Sequence, residues 1–185
     1  GARVVVNDID PAPAEATVQA IVAAGGDAVA CVGDVTTPEF APRFVATALE
    51  RYGALDIIVN NAGYAWDAVI QNMTDEQWYA MLDVHATAPF RLLRAAAEPL
   101  RRFAKQEKGE GRVVQRKVVN VTSIAGLYGN AGQVAYAAGK AAVIGVTRTL
   151  AKEWGRYNVN VNAVAFGYIR TRMTEPIGDG AAVAH

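Results

Sequence analysis

Residues 123–140 read S-I-A-G-L-Y-G-N-A-G-Q-V-A-Y-A-A-G-K, and this stretch decides how the chain folds. It follows the β-branched run K-V-V-N-V-T, which predicts a buried strand ending at Ser123, the one serine in the sequence. Alanine-rich sequence without proline then predicts a helix over residues 134–154. On that helix Tyr136 and Lys140 are four residues apart, so their side chains share one face. Ser123 is expected at the carboxyl end of its strand, where open α/β sheets bind ligands.

These three side chains suit proton transfer to or from an alcohol or a ketone. A lysine ammonium near a phenol favours the phenolate and lowers the tyrosine pKa from its free value of about 10. A hydroxyl beside the phenol can donate a hydrogen bond to a carbonyl oxygen that gains negative charge. The pattern Y-x-x-x-K is common by chance, however, and a surface tyrosine and lysine without function is the alternative.

The spacing of three further motifs makes the pattern specific. Ser123 precedes Tyr136 by thirteen residues, N-N-A-G occupies residues 60–63, and G-D-V occupies residues 33–35. In this order and spacing the sequence resembles the short-chain dehydrogenase/reductase family, and in particular its branch similar to the 3-oxoacyl-[acyl-carrier-protein] reductases. The resemblance runs from Gly1 to about Thr174.

Strand-like runs alternate with helix-like runs along the chain, which predicts a parallel α/β sheet covered on both faces. A helix beginning at Thr74, with a start typical of a capping box, is expected to be bent or interrupted by Pro89 and Pro99, and the segment after it is expected to be a loop. The predicted strands cover residues 2–6, 28–32, 55–60, 117–122 and 158–164; the predicted helices cover residues 13–24, 38–52, 74–103 and 134–154; the predicted loop covers residues 105–116.

The resemblance implies a single Rossmann-type domain over residues 1–185, with a doubly wound sheet in a three-layer α/β/α arrangement. Two parts of that fold are not found in the sequence: the first strand with its glycine-rich turn, and a C-terminal strand. Because the first strand lies in the middle of the sheet, we expect two strands to separate from the other three. We also expect a longer polypeptide to supply the central strand.

Composition excludes several classes of function. The 185 residues carry 18 basic and 18 acidic side chains, and no basic run favours nucleic acid or an anionic membrane. No apolar run reaches the length of about 20 residues that spans a bilayer. The single cysteine, Cys31, fits a reducing cytoplasm. One cysteine with only His85 and His185 suggests no metal site.

The resemblance also implies a nicotinamide cofactor and its contacts. Asp8 follows the first predicted strand, where an acidic residue accepts hydrogen bonds from the ribose hydroxyls and repels a 2′-phosphate. NAD(H) is therefore favoured over NADP(H), although a capping or turn aspartate is the alternative. The remaining implied cofactor contacts are Ile9, Asp34, Val35, Asn61, Ala62, Gly63, Tyr136, Lys140, Ile169 and Thr171.

By resemblance, Tyr136 is the general acid and base, Lys140 lowers its pKa and holds the nicotinamide ribose, and Ser123 steadies the substrate oxygen. The family has an asparagine that holds a relay water where this chain has His85. Histidine can also bind water and titrates near neutrality, so it can serve in the relay with a changed pH response; a helix histidine without a role is the alternative. The family's Pro-Gly after the fifth strand is Phe166-Gly167 here.

Three functions follow as hypotheses. The first is a cytoplasmic, NAD(H)-dependent dehydrogenase or reductase acting on a secondary alcohol or ketone, with a 3-oxoacyl thioester as one candidate substrate. The second is a nucleotide-binding protein without catalysis, such as an inactive truncated member of the family. The third, a serine hydrolase using Ser123 and His85, lacks the G-x-S-x-G turn. We further expect a homo-oligomer, dimer or tetramer, formed through the two long helices.

Overall fold

The computed structural model describes residues 1–169 and contains five strands and six α-helices in that range. The strands are β1 (Arg3–Val6), β2 (Asp27–Ala30), β3 (Ile57–Asn60), β4 (Arg116–Ser123) and β5 (Val159–Phe166). The helices are α1 (Pro11–Ala23), α2 (Phe40–Tyr52), α3 (Asp75–Leu82), α4 (Ala88–Gly109), α5 (Ile124–Tyr128) and α6 (Val134–Trp154). This alternation confirms the predicted α/β fold.

All strand pairs are parallel, but they form two sheets. One sheet contains β1 and β2, and the other has the order β3-β4-β5. A cleft of about 580 Å³ separates β1 from β3 and is lined mostly by apolar side chains of β1, α2 and β3. The expected separation of two strands from three is therefore confirmed. That a central strand fills this cleft stays a prediction.

The main hydrophobic core lies on the three-stranded sheet. It joins the inner faces of β3, β4 and β5 to α2, α4 and the end of α6. Its buried members are Val45, Ile58, Leu93, Ala96, Leu100, Val118, Trp154, Val159 and Val161. In β4 every second residue is buried, because successive side chains point to opposite faces of the sheet and one face is covered more closely than the other.

The predicted helix over residues 74–103 is interrupted next to Pro89, by a π-helical turn at Asp83–Thr87, whereas Pro99 lies inside α4. Its predicted end is wrong, because the helix continues to Gly109 and the predicted loop over residues 105–116 is shorter. The physical reason is a buried ion pair: Arg116 donates to both carboxylate oxygens of Glu107, at 2.8 and 2.6 Å.

The capping box that was predicted at the start of this helix is present. The Thr74 hydroxyl accepts a hydrogen bond from the Gln77 amide, and the Gln77 side chain accepts from the Thr74 amide. The short helix α5 was not predicted. Among residues 1–169, no helix combines the length and apolar character that crossing a bilayer would need.

Candidate active site

Ser123 is the last residue of β4 and also the N-cap residue of α5. Its hydroxyl oxygen accepts a hydrogen bond from the Ala125 amide at 3.2 Å, which fixes the side chain. Helix α5 packs very closely on α6 at Gly126, where an added Cβ would lie 2.8 Å from the backbone carbon of Lys140. This close packing brings Ser123 to Tyr136.

Tyr136 is half-buried and its hydroxyl is hydrogen-bonded to the Ser123 side chain. Burial raises the pKa of Tyr136, and this effect exceeds the opposing effect of the Ser123 hydrogen bond. That Lys140 lowers this pKa stays a prediction. The phenol keeps its proton at neutral pH in this arrangement.

Lys140 is 6% exposed, and hydrogen bonds hold both its side-chain amine and its backbone carbonyl. Its Nζ donates to the carbonyl of Val121 at 2.9 Å and lies 5.6 Å from the centre of the Tyr136 ring. Its backbone carbonyl accepts from the Thr122 hydroxyl at 2.7 Å. Burial lowers the pKa of Lys140 to about 8. The amine is thus fixed to β4, one turn of α6 from the phenol.

His85 lies in the π-helical turn and is 3% exposed. Its Nε2 is 2.7 Å from the carbonyl oxygen of Tyr64, and its ring meets the Tyr136 ring edge-on, with 4.9 Å between centres. Burial and, second, the charge of Lys140 lower the pKa of His85 to about 4, despite the hydrogen bond to Tyr64. The expectation that His85 titrates near neutrality is therefore wrong.

The geometry of His85 also excludes the serine hydrolase. A hydrolytic pair would need the imidazole to accept the proton of the serine hydroxyl. Here Nε2 contacts Tyr64 and Nδ1 has no hydrogen-bond partner, while the hydroxyl of Ser123 contacts the Ala125 amide and the Tyr136 side chain. Ser123 and His85 do not form a nucleophile and base.

A chain of buried amides and hydroxyls supports the site from behind. Asn60 of β3 donates to Asn120 of β4 at 2.7 Å, and Asn120 donates to Thr147 of α6 at 2.8 Å. Asn120 is fully buried. The two asparagines therefore tie β3 to β4, and Asn120 also ties β4 to α6. Sequence reasoning missed Asn120 and Thr147, although an asparagine inside a β-branched strand was a usable signal.

Asp8 follows β1 at the carboxyl edge of the two-stranded sheet. One carboxylate oxygen accepts from the Asp10 amide at 3.1 Å, and its backbone carbonyl accepts from Gly33 at 3.0 Å. The side chain of Asn7 donates to the carbonyls of Cys31 and Gly33, at 3.1 and 2.9 Å. These contacts hold the predicted Asp8 beside the turn after β2. Ile9, next to it, is 62% exposed.

Asp34 and Val35 follow β2 and also have structural roles. Asp34 accepts from the backbone and hydroxyl of Thr36, at 2.8 and 2.7 Å, which forms a local turn. Val35 packs on the small core of Met81, Val84 and Ala135, on which Tyr136 also packs. The segment after β2 therefore reaches the core that carries the tyrosine.

The N-N-A-G motif ends β3 with two exposed residues, Asn61 and Ala62, followed by Gly63. An added Cβ at Gly63 would lie 2.4 Å from Cε1 of His85. The glycine is thus required by the histidine ring. Ile169 is 54% exposed, and Thr171 lies outside the described residues.

These residues fit an extended nucleotide cofactor. Asp8, Asp34, Asn61 and Ser123 each follow or end a parallel strand, so all four lie at carboxyl ends, where α/β sheets bind nucleotides. An acidic acceptor lies on one sheet, and the tyrosine and lysine lie beside the other. In residues 1–169 no group of three or more His, Cys, Asp or Glu side chains is placed to hold a metal ion.

Comparison with known proteins agrees with this geometry. The family model described as short chain dehydrogenase matches residues 1–182. The 3-oxoacyl-[acyl-carrier-protein] reductase of Synechocystis sp. is 39% identical, over 95% of this chain and 67% of its own length. A reductase of the same name from Thermotoga maritima is 36% identical, over 98% of this chain and 70% of its own length.

Two solved structures share the fold. A short chain dehydrogenase from Mycobacterium avium is 39% identical with a TM-score of 0.83, covering 97% of this chain and 63% of that one. A gluconate 5-dehydrogenase from Burkholderia cenocepacia, in complex with NADP and tartrate, is 26% identical with a TM-score of 0.82, covering 94% and 64%. The chain spans slightly less than two thirds of the length of these two structures.

Proposed function

Since the chain belongs to the short-chain dehydrogenase family, we propose that it is an oxidoreductase that transfers a hydride between NAD(H) and a secondary alcohol or ketone. The observation that carries the proposal is the cluster of Ser123, Tyr136 and Lys140 at the carboxyl end of β4. All three side chains are held by named contacts, as an active site requires.

Each residue has a distinct part in this chemistry. The bound nicotinamide would supply or accept the hydride. Tyr136, whose pKa is raised by burial, holds a proton that it can give to a substrate oxygen as negative charge develops there. Ser123 donates a hydrogen bond to the same oxygen and orients the phenol. Lys140, with a pKa of about 8, can return a proton and bind a ribose hydroxyl.

Replacement of Tyr136 by Phe tests the proposal. The variant loses only the phenol hydroxyl, so turnover should fall by about 10²–10⁴-fold while nucleotide binding is retained. NADH oxidation across a panel of ketones measures turnover, and cofactor fluorescence measures binding. Tyr79→Phe is the matched control, because Tyr79 is 63% exposed on α3 and is not among the proposed site residues. Near-normal turnover of Tyr136→Phe would refute the assignment.

A nucleotide-binding protein without catalysis is the second candidate. The raised pKa of Tyr136 favours it, since a phenol that holds its proton tightly is a poor base for alcohol oxidation. The two candidates differ in one result. Binding of NADH without oxidation by any ketone or 3-oxoacyl thioester in the panel would support the second.

The preference for NAD(H) rests on Asp8. Arg3 does not offset the negative charge of Asp8, because its guanidinium lies at the start of β1, 5.3 Å from the centre of the Tyr52 ring. A 2′-phosphate near Asp8 would be repelled. Asp8→Ala should therefore move the NAD(H) to NADP(H) ratio of kcat/KM by about tenfold or more toward NADP(H). Wild-type preference for NADPH, the phosphorylated form named for the Burkholderia structure, would contradict the proposal.

The substrate we propose to test first is a 3-oxoacyl thioester, because the two reductases above carry that substrate class in their names. Exposed apolar side chains near the site suit an acyl chain: Tyr64, Trp66, Leu127 and Tyr128. Their two segments are joined by a hydrogen bond from the Ala68 amide to the Gly132 carbonyl at 2.8 Å. Higher kcat/KM for acetoacetyl thioesters than for small cyclic ketones would support this class, and the reverse order would exclude it.

Self-association through α6 is proposed as well. Gly145 is exposed in the middle of this helix, and an added Cβ there would meet no atom within 4 Å. A glycine in a helix interior costs about 1 kcal/mol relative to alanine, so its small size is best explained by a close neighbour. Sedimentation at micromolar concentration should show a dimer or tetramer that Gly145→Glu dissociates. A monomeric wild type would sink the idea.

A further inference from the structure

His85 is enclosed by two glycines. An added Cβ at Gly63 would lie 2.4 Å from Cε1 of the ring, and one at Gly139 on α6 would lie 2.8 Å from Cβ of His85. Real Cβ atoms do not approach so closely, so the imidazole fits because both positions lack a side chain. The π-helical turn places the ring in this space, edge-on to Tyr136.

The contact with Tyr64 determines the tautomer. A backbone carbonyl can only accept, so Nε2, which lies 2.7 Å from the Tyr64 carbonyl oxygen, carries the proton. In a neutral ring Nδ1 then has a bare lone pair and acts as an acceptor. Burial and the charge of Lys140 both oppose a second proton on the ring.

Nδ1 is the one buried side-chain nitrogen or oxygen without a hydrogen-bond partner in the part of the chain that the structure describes. It faces the N-N-A-G turn, since an added Cβ at Gly63 would lie 2.9 Å from it. Buried polar atoms in proteins nearly always have partners, and an unpaired one costs about 1–3 kcal/mol. The orphaned acceptor thus points to a donor that binds here.

We propose that His85 is a positioning residue whose Nδ1 is a permanent hydrogen-bond acceptor for an O–H donor, either a water molecule or a ligand hydroxyl, at the N-N-A-G turn beside Lys140. His85 does not gain or lose a proton during turnover. It orders the donor next to Lys140 and, through its edge-on contact, fixes the Tyr136 ring. The acceptor site stands without the proposed function, whereas its effect on turnover rests on that function.

Nitrogen-15 NMR of the wild-type chain tests the site without any activity measurement. The chain has two histidines, so the 15N-histidine spectrum contains one buried ring and the ring of His185, at the last position of the sequence, for comparison. We expect His85 to show a protonated Nε2 and a bare, hydrogen-bonded Nδ1 throughout pH 5–8. Titration in this range, a protonated Nδ1 or a Nδ1 shift typical of an unbonded lone pair would overturn the proposal.

Addition of NAD⁺ identifies the donor. A Nδ1 chemical shift that moves when NAD⁺ is added at saturation identifies a ligand hydroxyl, and one that stays constant identifies water. Both results support the acceptor site.

Turnover then tests the positioning role. The variant His85→Phe keeps an edge-on ring but has no acceptor, and its kcat should fall about tenfold with little change in KM. His85→Gln, which restores an acceptor, should recover part of the loss. Equal turnover of wild type and His85→Phe would overturn the positioning role, and absence of all wild-type turnover would instead count against the proposed function.

Discussion

The two sheets of the molecule have the same parallel pairing but very different burial. In the three-stranded sheet, β4 has neighbours on both sides and alternate residues from Arg116 to Thr122 are buried. In the two-stranded sheet, no residue of β1 or β2 is fully buried. The proposed catalytic residues lie beside the first sheet, and the proposed adenosine contact Asp8 lies on the second. In the proposed function, chemistry therefore belongs to the three-stranded sheet and nucleotide selection to the two-stranded sheet.

The cause of the difference is the cleft between β1 and β3. A strand paired on one side only leaves a row of backbone N–H and C=O groups without partners. Both edges of the cleft are such rows, and on β3 the side chains of Ile57 and Val59 are each 55% exposed. The stability of each sheet therefore depends on what occupies the cleft.

The largest expected effect comes from filling the cleft. A version of the chain extended by an apolar strand and a glycine-rich turn should pair both edges and hold a pyrophosphate at a helix N-terminus. Because each buried unpaired group costs about 1–3 kcal/mol, the free energy of unfolding should rise by more than any single substitution changes it. Hydrogen exchange of the β1 and β3 amides, with a glycine-serine extension as control, measures the effect. Full protection of both edges in the 185-residue chain would contradict the prediction.

A pair of substitutions compares the cores of the two parts. Leu93 is 2% exposed in the core of the three-stranded sheet, and Leu93→Ala should cost about 2–5 kcal/mol of unfolding free energy. Val5 in β1 is half-buried, and Val5→Ala should cost about 1 kcal/mol or less. Urea unfolding of both variants gives the two values. Equal losses would mean that the open sheet is packed as well as the closed one.

The Glu107–Arg116 pair should make the closed part sensitive to acid. The two side chains are 11% and 4% exposed, and hydrogen bonds from Arg116 hold the pKa of Glu107 below its usual value. A carboxyl group whose pKa is lowered by folding stabilises the folded state at pH values above its unfolded pKa of about 4.3. This stabilisation is lost as the pH falls through the pKa of the folded state. Glu107→Gln should thus lose about 1–3 kcal/mol at pH 7 and show a flatter decline below pH 4.5.

Urea unfolding between pH 3 and pH 7 measures this difference. Glu110→Gln is the matched control, because Glu110 pairs with Arg112 at the surface, and exposed pairs contribute little. If Glu107→Gln and wild type decline in parallel, the buried pair is not the acid-sensitive element.

Much of this arrangement follows from local rules that a sequence displays. Tyr136 and Lys140 could be placed because four residues on a helix fix their mutual position, and Ser123 because a β-branched run ends there. The environment of His85 could not, since its lowered pKa comes from burial by other elements and from the charge of Lys140. The extension of α4 depends on Glu107 meeting Arg116 across a turn. Such pairings are tertiary, and residue propensities do not encode them.

Because of the π-helical turn at Asp83–Thr87, this region should respond to the deletion of a single residue differently from a regular α-helix. A π turn holds one residue more than an α turn, so deleting one codon here would yield an ordinary helix. Because the extra residue is taken up within the wide turn, the helices on either side would keep roughly the same orientation. The residues of the turn itself would shift, and His85 would lose its contacts with Tyr64 and Tyr136. The position of His85 therefore depends on the length of this five-residue turn as well as on the identity of its residues.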